Sequence, residues 1–248
     1  MDVAKDLVGP DFEKADLVLF ESGNVELTFP LPEHRSESKN YLAGQNLGII
    51  PDDKWEVDSA GNQTYVLVKQ TWSYDQAVTL DSVFSTDLVM VLMQVPEATQ
   101  KKSIPLNKIA FTHWIIDLLK NSVFDMEDIT PDDDLATQYL KNWQVPEQAS
   151  DMDIIKKGNL DWIIASMGHT SMGLPEPMIF IPIDNQLLLM IHINSTKLSY
   201  SDREDTFQNE DIESVTKQIM MEFLEHIQIT YSTEVLKQIK EQNALAEA

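Results

Sequence analysis

The stretch Leu174–Ile193, LPEPMIFIPIDNQLLLMIHI, constrains the fold of this chain more than any other, because it joins two nearly continuous apolar runs at Asp184-Asn185. Asp and Asn side chains hydrogen-bond nearby backbone and tolerate left-handed dihedrals, so the pair predicts the turn of a β-hairpin. Arms with so little polar alternation belong mid-sheet or under cover on both faces. The hairpin is therefore expected at the middle of the core.

Four further strand regions precede it. Val25, Leu27 and Phe29 alternate with Glu26 and Thr28, which predicts a strand with one wet face, closed by Pro30 and preceded by a short helix before Gly9-Pro10. Residues 31–53 mix Pro, Gly, Ser and charge without a lasting period and read as loop. Lys54–Val57 and Thr64–Trp72 flank the turn formers DSAGNQ and predict a second hairpin; Val78–Phe84 and Leu88–Val95 flank Ser85-Thr86-Asp87 and predict a third. Leu160–Ser166 is expected to be a strand, leading through the loop SMGHTSMG into the central hairpin.

Helical spacing marks the rest. Leu106–Lys120 places Ala110, Phe111, Trp114, Ile115 and Leu118 on one face and His113, Asp117 and Lys120 on another. Thr130-Pro131-Asp132-Asp133 has a capping hydroxyl, a proline at the first helical position and acids in the first turn, opening a helix with Leu135, Tyr139, Leu140 and Trp143 at helical spacing. Ser150 with Asp153, ending before Gly158, reads as a short capped helix. Asn209 caps a helix carrying Ile212, Val215, Ile219, Phe223 and Ile227 in one stripe, and Ser232 caps a last helix expected to fray at its end.

These elements predict an α+β fold, an antiparallel sheet or sheets built from hairpins with helices packed on one face. A parallel doubly wound fold is disfavoured, since strands come in pairs rather than alternating singly with helices. Strands followed by a helix occur twice, and DLVMVLMQV at 87–95 is echoed by DNQLLLMIHI at 184–193. Two similar halves, 1–122 and 160–248, joined by an acidic helical connector at 123–159, are the expected organisation, which one continuous domain would also accommodate.

Charge bounds the function. Forty-one acids against 18 Lys and Arg give a formal net charge of -23, shared by both halves, and such a surface repels nucleic-acid phosphates and anionic membranes. There is no Cys, which excludes disulfides, thiolate nucleophiles and Cys-ligated metals. The start MDVAKDLVGP carries acids where a signal peptide needs bases, and no stretch approaches the roughly 20 apolar residues of a membrane span. A cytoplasmic location is expected, which leaves the two Asn-x-Thr matches at Asn62 and Asn194 without consequence.

Candidate chemistry is sparse. His34, His113, His169, His192 and His226 show no metal-ligand spacing, and no cofactor fingerprint is present. His113 with Asp117, and Glu222 with His226, stand four apart on predicted helices, where surface pairing is the expected role. His192 lies in an arm of the central hairpin and is expected to be a hydrogen-bonded structural imidazole. GHTSMG at 168–173 is one residue too long for the nucleophile elbow Gly-x-Ser-x-Gly and is not followed by a helix, although His169 and Ser171 could meet in such a loop. Two acid-rich segments remain: Asp125, Glu127, Asp128, Asp132, Asp133 and Asp134 in the first, and Asp202, Glu204, Asp205, Glu210, Asp211 and Glu213 in the second. Neither has the Gly of a calcium-binding loop.

The expected function is that of a non-enzymatic cytoplasmic protein whose acidic surface meets a basic protein partner, of the immunity, antitoxin or inhibitor type. Its partner-binding candidates are Asp125, Glu127, Asp128, Asp132, Asp133 and Asp134; no catalytic, cofactor or metal residue is assigned. The alternatives are a hydrolase or transferase with a site around the 166–173 loop, and a structural or assembly subunit.

Overall fold

The computed structural model describes residues 7–32, 50, 54–57, 61–76, 82–95, 103–126, 140–157, 160–171, 176–197 and 209–246. The fold is α+β, with antiparallel sheets and helices. The strands are β1 (Leu7–Val8), β2 (Asp16–Ser22), β3 (Val25–Leu31), β4 (Glu56–Val57), β5 (Gln63–Gln76), β6 (Ser82–Gln94), β7 (Trp143–Gln144), β8 (Asp153–Lys157), β9 (Leu160–His169), β10 (Glu176–Pro182), β11 (Leu187–Lys197) and β12 (Gln228–Tyr231). The helices are α1 (Lys108–Met126), α2 (Asn209–His226) and α3 (Thr233–Ala246). One sheet has nine strands in the order β1-β5-β6-β11-β10-β9-β7, with β4 on β5 and β8 on β9; a second runs β12-β3-β2. No described helix is long and apolar enough to cross a membrane.

The described residues divide into two compact units that interleave along the chain. The first takes Met1–Ile50, Val68–Val89 and Ile193–Thr230; the second takes Pro51–Leu67, Met90–His192 and Tyr231–Ala248.

In the second unit the central hairpin forms as its residues dictate. β10 and β11 pair with Phe180 opposite Met190, and Ile179, Phe180, Ile181, Leu188, Leu189 and Ile191 are all buried. Asp184 makes the turn by accepting two hydrogen bonds, from the N–H groups of Gln186 and Leu187, both at 2.8 Å. The same turn anchors its surroundings. The carbonyls of Gln186 and Asn185 accept from the N–H groups of Val95 and Ile104, each at 2.8 Å, and the Tyr231 hydroxyl donates to the Pro182 carbonyl at 2.8 Å. α1 lays Phe111, Ile115, Ile116 and Leu119 into a core with Ile163, Ala165, Phe180 and Leu188. Asn107 caps it, accepting from the N–H groups of Ile109 and Ala110.

In the first unit, Phe12 stands at the centre. Its ring meets Trp72 edge-on at 5.4 Å, Phe223 at 5.7 Å and the His226 imidazole at 6.3 Å. β2 and β3 pair from Asp16 opposite Leu31 to Ser22 opposite Val25, leaving Gly23-Asn24 as a two-residue loop. Val18, Phe20, Leu27 and Phe29 bury one face of that hairpin.

Several elements depart from the sequence expectations. Leu7-Val8, placed in a short helix, is a strand on β5, and β3 continues one residue beyond Pro30. Ser85-Thr86-Asp87 is no turn, because β6 runs straight through it. These side chains satisfy neighbouring strands instead of their own backbone: Thr71 Oγ1 donates to Asp87 at 2.6 Å, and the hydroxyls of Thr86 and Ser195 bond at 2.8 Å. Residues 153–157, placed in a helix, form β8 against β9, since the local cap closes only the short turn Ala149–Asp151. Trp143 is in β7, opposite His169, and strand β9 extends through residues assigned to a loop. Ala110 is exposed, the buried stripe of α1 falling instead on Phe111, Ile115, Ile116, Leu119 and Val123. The final helix is tied near its end, where Gln242 accepts from the N–H groups of Leu106 and Asn107 and Asn243 accepts from Asn107 Nδ2. The helix placed after Thr130-Pro131 and the loop at 33–49 lie outside the described residues.

Candidate functional site

Glu127, Asp128, Asp132, Asp133 and Asp134 lie outside the described residues, as do Asp202, Glu204, Asp205 and His34; Asp125 is in the last turn of α1, its side chain not described. Glu213 is exposed on α2, and His113 and Asp117 are both exposed on α1. Among the described residues no group of three or more His, Asp or Glu could hold a metal ion.

Three local constellations carry chemistry. The first is at the end of β9, where the turn brings Ser171 Oγ to 2.6 Å from His169 Nδ1 and the Ser171 N–H to 3.3 Å from the same nitrogen. Both contacts fall on Nδ1, and whether it donates to or accepts from the hydroxyl is set by the imidazole tautomer. Trp143 holds the ring edge-on at 5.3 Å. Hydroxyl and base are thus in contact, but among the described residues no carboxylate orients the imidazole from Nε2, and Ser171 is exposed. That third group is what normally completes a nucleophile-and-base pair.

The second is the 2.7 Å contact of His192 Nε2 with a Glu176 carboxylate oxygen, between β11 and β10. The contact joins the two arms of the central hairpin.

The third is an acidic surface on the first unit. His226 Nδ1 bonds the Glu222 carbonyl at 2.9 Å, not its carboxylate. Burial holds the Glu222 carboxyl above the usual carboxylate range; Asp11, Glu225 and Glu13 push the same way, and His226 opposes them. Lys14 answers Asp11 at 2.6 Å, an exposed pair whose hydrogen bond lowers the carboxyl and raises the ammonium. Burial and the nearby Glu222 also drive the Tyr74 phenol well above its ordinary value. Beside this cluster the other face of the β2–β3 hairpin sets Leu17 opposite Pro30, Leu19 opposite Thr28 and Glu21 opposite Glu26; Leu17 is exposed, Leu19 and Thr28 are half-buried and Pro30 is buried. Both glutamates are exposed, as are Asp11, Glu13 and Asp16.

The sequence reading missed this hairpin. Its signal was present in Leu17-Val18-Leu19-Phe20, followed by Ser22, Gly23 and Asn24, because Gly-Asn between strand-forming runs marks a two-residue hairpin loop. Compared with known proteins, the chain matches no family model and no curated protein.

Proposed function

We propose that this protein is a non-enzymatic cytoplasmic binding protein whose acidic surface receives a basic protein partner, of the immunity, antitoxin or inhibitor kind. The observation that carries the reading is Glu21 directly opposite Glu26, both exposed. Like charges in a cross-strand pair destabilise a sheet by some tenths of a kcal/mol, up to about 1. A cationic partner converts that cost into attraction, and the chain's net charge of -23 steers such a partner in. Asp125, Glu127, Asp128, Asp132, Asp133 and Asp134 form a second contact in this reading.

The test is capture on the tagged full-length protein from a lysate of its own source, eluted along a salt gradient, with the recovered partner then titrated by calorimetry. Binding that weakens steadily with salt, and weakens again when Asp132, Asp133 and Asp134 become Asn, supports the reading; binding indifferent to both overturns it.

The 2.6 Å contact of His169 with Ser171 favours one second reading, a hydrolase or transferase at this turn. It predicts covalent labelling of Ser171 by a fluorophosphonate. An unlabelled protein removes it.

A further inference from the structure

Sheet edges present unpaired N–H and C=O groups, and natural proteins blunt them with short strands, charged side chains (Lys above all) or Pro. Most edges here are treated that way. β1, β4 and β7 have two residues each, β12 has four, and β8 carries Lys156 and Lys157. β5 is met on one edge only near its ends, by β4 at Gln63 and Thr64 and by β1 at Asp75 and Gln76, but the stretch between carries Lys69. β2 has no such cation: it is seven residues long, DLVLFES, without Lys or Pro and with only the acids Asp16 and Glu21, and no described strand pairs with its second edge. Its Leu17 is 58% exposed.

We infer that the outer edge of β2 receives an extended segment of the basic partner by antiparallel strand addition. This rests on the basic-partner reading above and specifies where and how the partner docks. The register of β2 dictates what the segment must carry. Residues directly opposite one another share a sheet face, so an incoming strand meets Glu21, Leu19 and Leu17 at alternate positions. Because the strand runs antiparallel, it meets Glu21 first. The segment therefore reads Lys/Arg-x-Φ-x-Φ, where Φ is aliphatic: a cation beside the Glu21–Glu26 pair, which meets no cation among the described residues, then two apolar side chains on Leu19 and exposed Leu17. Main-chain hydrogen bonds supply affinity and the alternating side chains supply selectivity, as in other strand-addition complexes. A second copy of this chain fits less well. Antiparallel self-pairing about Leu19 sets Leu17 opposite Glu21, so each acidic pair meets an apolar side chain rather than a cation, between molecules of charge -23 each.

The probe is a labelled, end-blocked peptide, Thr-Lys-Thr-Val-Thr-Leu-Thr, titrated into the full-length protein by fluorescence anisotropy. Its controls are the same peptide N-methylated at alternate residues on its pairing edge, and a shuffled Thr-Thr-Lys-Val-Leu-Thr-Thr. The expected results are binding of the parent, roughly tenfold weaker binding of both controls, and amide-exchange protection confined to residues 16–22. Glu21→Gln should weaken the parent about threefold, the size of one exposed charge pair, and should leave a peptide with Gln in place of Lys unaffected. Equal binding of parent and N-methylated peptide overturns strand addition while leaving a charge-driven partner in place. No binding at millimolar peptide, with residues 16–22 unprotected, overturns it as well; a capture experiment that also returns no basic protein then removes the wider reading. Salt-insensitive dimerisation abolished by Leu17→Lys overturns it in favour of self-pairing.

Discussion

Replacing Asp184 tests the packing of this fold at its centre. The residue is 7% exposed, and its Oδ1 accepts from two backbone N–H groups at 2.8 Å each. A hydrogen bond to a charged acceptor contributes roughly 1.5–3 kcal/mol, so losing both puts Asp184→Ala at roughly 3–6 kcal/mol. The turn also lends its carbonyls to Val95 and Ile104, and a relaxed turn loosens those contacts too, while water reaching the freed N–H groups returns part of the loss. About 3 kcal/mol is therefore expected, with a fall in Tm of about 6–12 °C for a chain of this size. Asp184→Asn keeps an acceptor in place and exchanges charged for neutral bonds, so about 1 kcal/mol is expected. Urea unfolding of the three proteins, with m-values compared, reads both numbers. An alanine variant that loses no more than the asparagine variant would refute the reasoning, because the acceptor would not be what holds the turn.

A Cβ on Gly9 would stand 2.0 Å from Tyr74 Cε1, and Tyr74 is buried, so Gly9→Ala should cost about 1–3 kcal/mol by overpacking. Gly23→Ala, whose Cβ meets nothing within 4 Å, should stay within about 0.5 kcal/mol in the same thermal unfolding assay. Gln70 is 5% exposed and its Nε2 finds no acceptor among the described residues, so the near-isosteric Gln70→Met should stabilise by about 1 kcal/mol in urea; a loss of that size would mean that the amide is satisfied. Folding raises the Glu222 pKa, so the native state binds this proton more tightly than the unfolded chain does. Its contribution is fully present below the ordinary carboxylate value and is lost as pH rises through the raised folded value. Glu222→Gln should therefore gain no more than about 1 kcal/mol over wild type at neutral pH, after solvent screening, and nothing in acid. An equal gain at every pH in a series of urea melts would contradict that cause.

Legibility in the sequence followed how local the determining interaction was. Asp184-Asn185 declares its turn because the bonds that make it reach only two and three residues along the chain. The stripe Val215, Ile219 and Phe223 is likewise a property of one helix, and all three are buried. Thr86 and Asp87 misled because their partners, Ser195 and Thr71, are distant in sequence, and a polar residue bonded across strands is indistinguishable in a string from one bonded to its own turn. Ile154 and Ile155 were drawn into a helix by a cap that serves only the turn at 149–151. The acidic surface was legible as composition but not as a site. Glu21 and Glu26 face each other only once the Gly23-Asn24 loop sets the register. His169 and Ser171, two residues apart, were within the reach of sequence reasoning, and the turn does bring them together.

The reading of an acidic protein with a basic partner is tested most directly by salt-gradient elution of source lysate from the immobilised full-length protein, followed by mass spectrometry and calorimetry on what elutes. The account predicts one basic protein leaving between low and moderate salt, with an affinity that falls as salt rises and falls further for Glu21→Gln. An elution without a basic protein, or a partner whose affinity ignores both salt and Glu21, would contradict it.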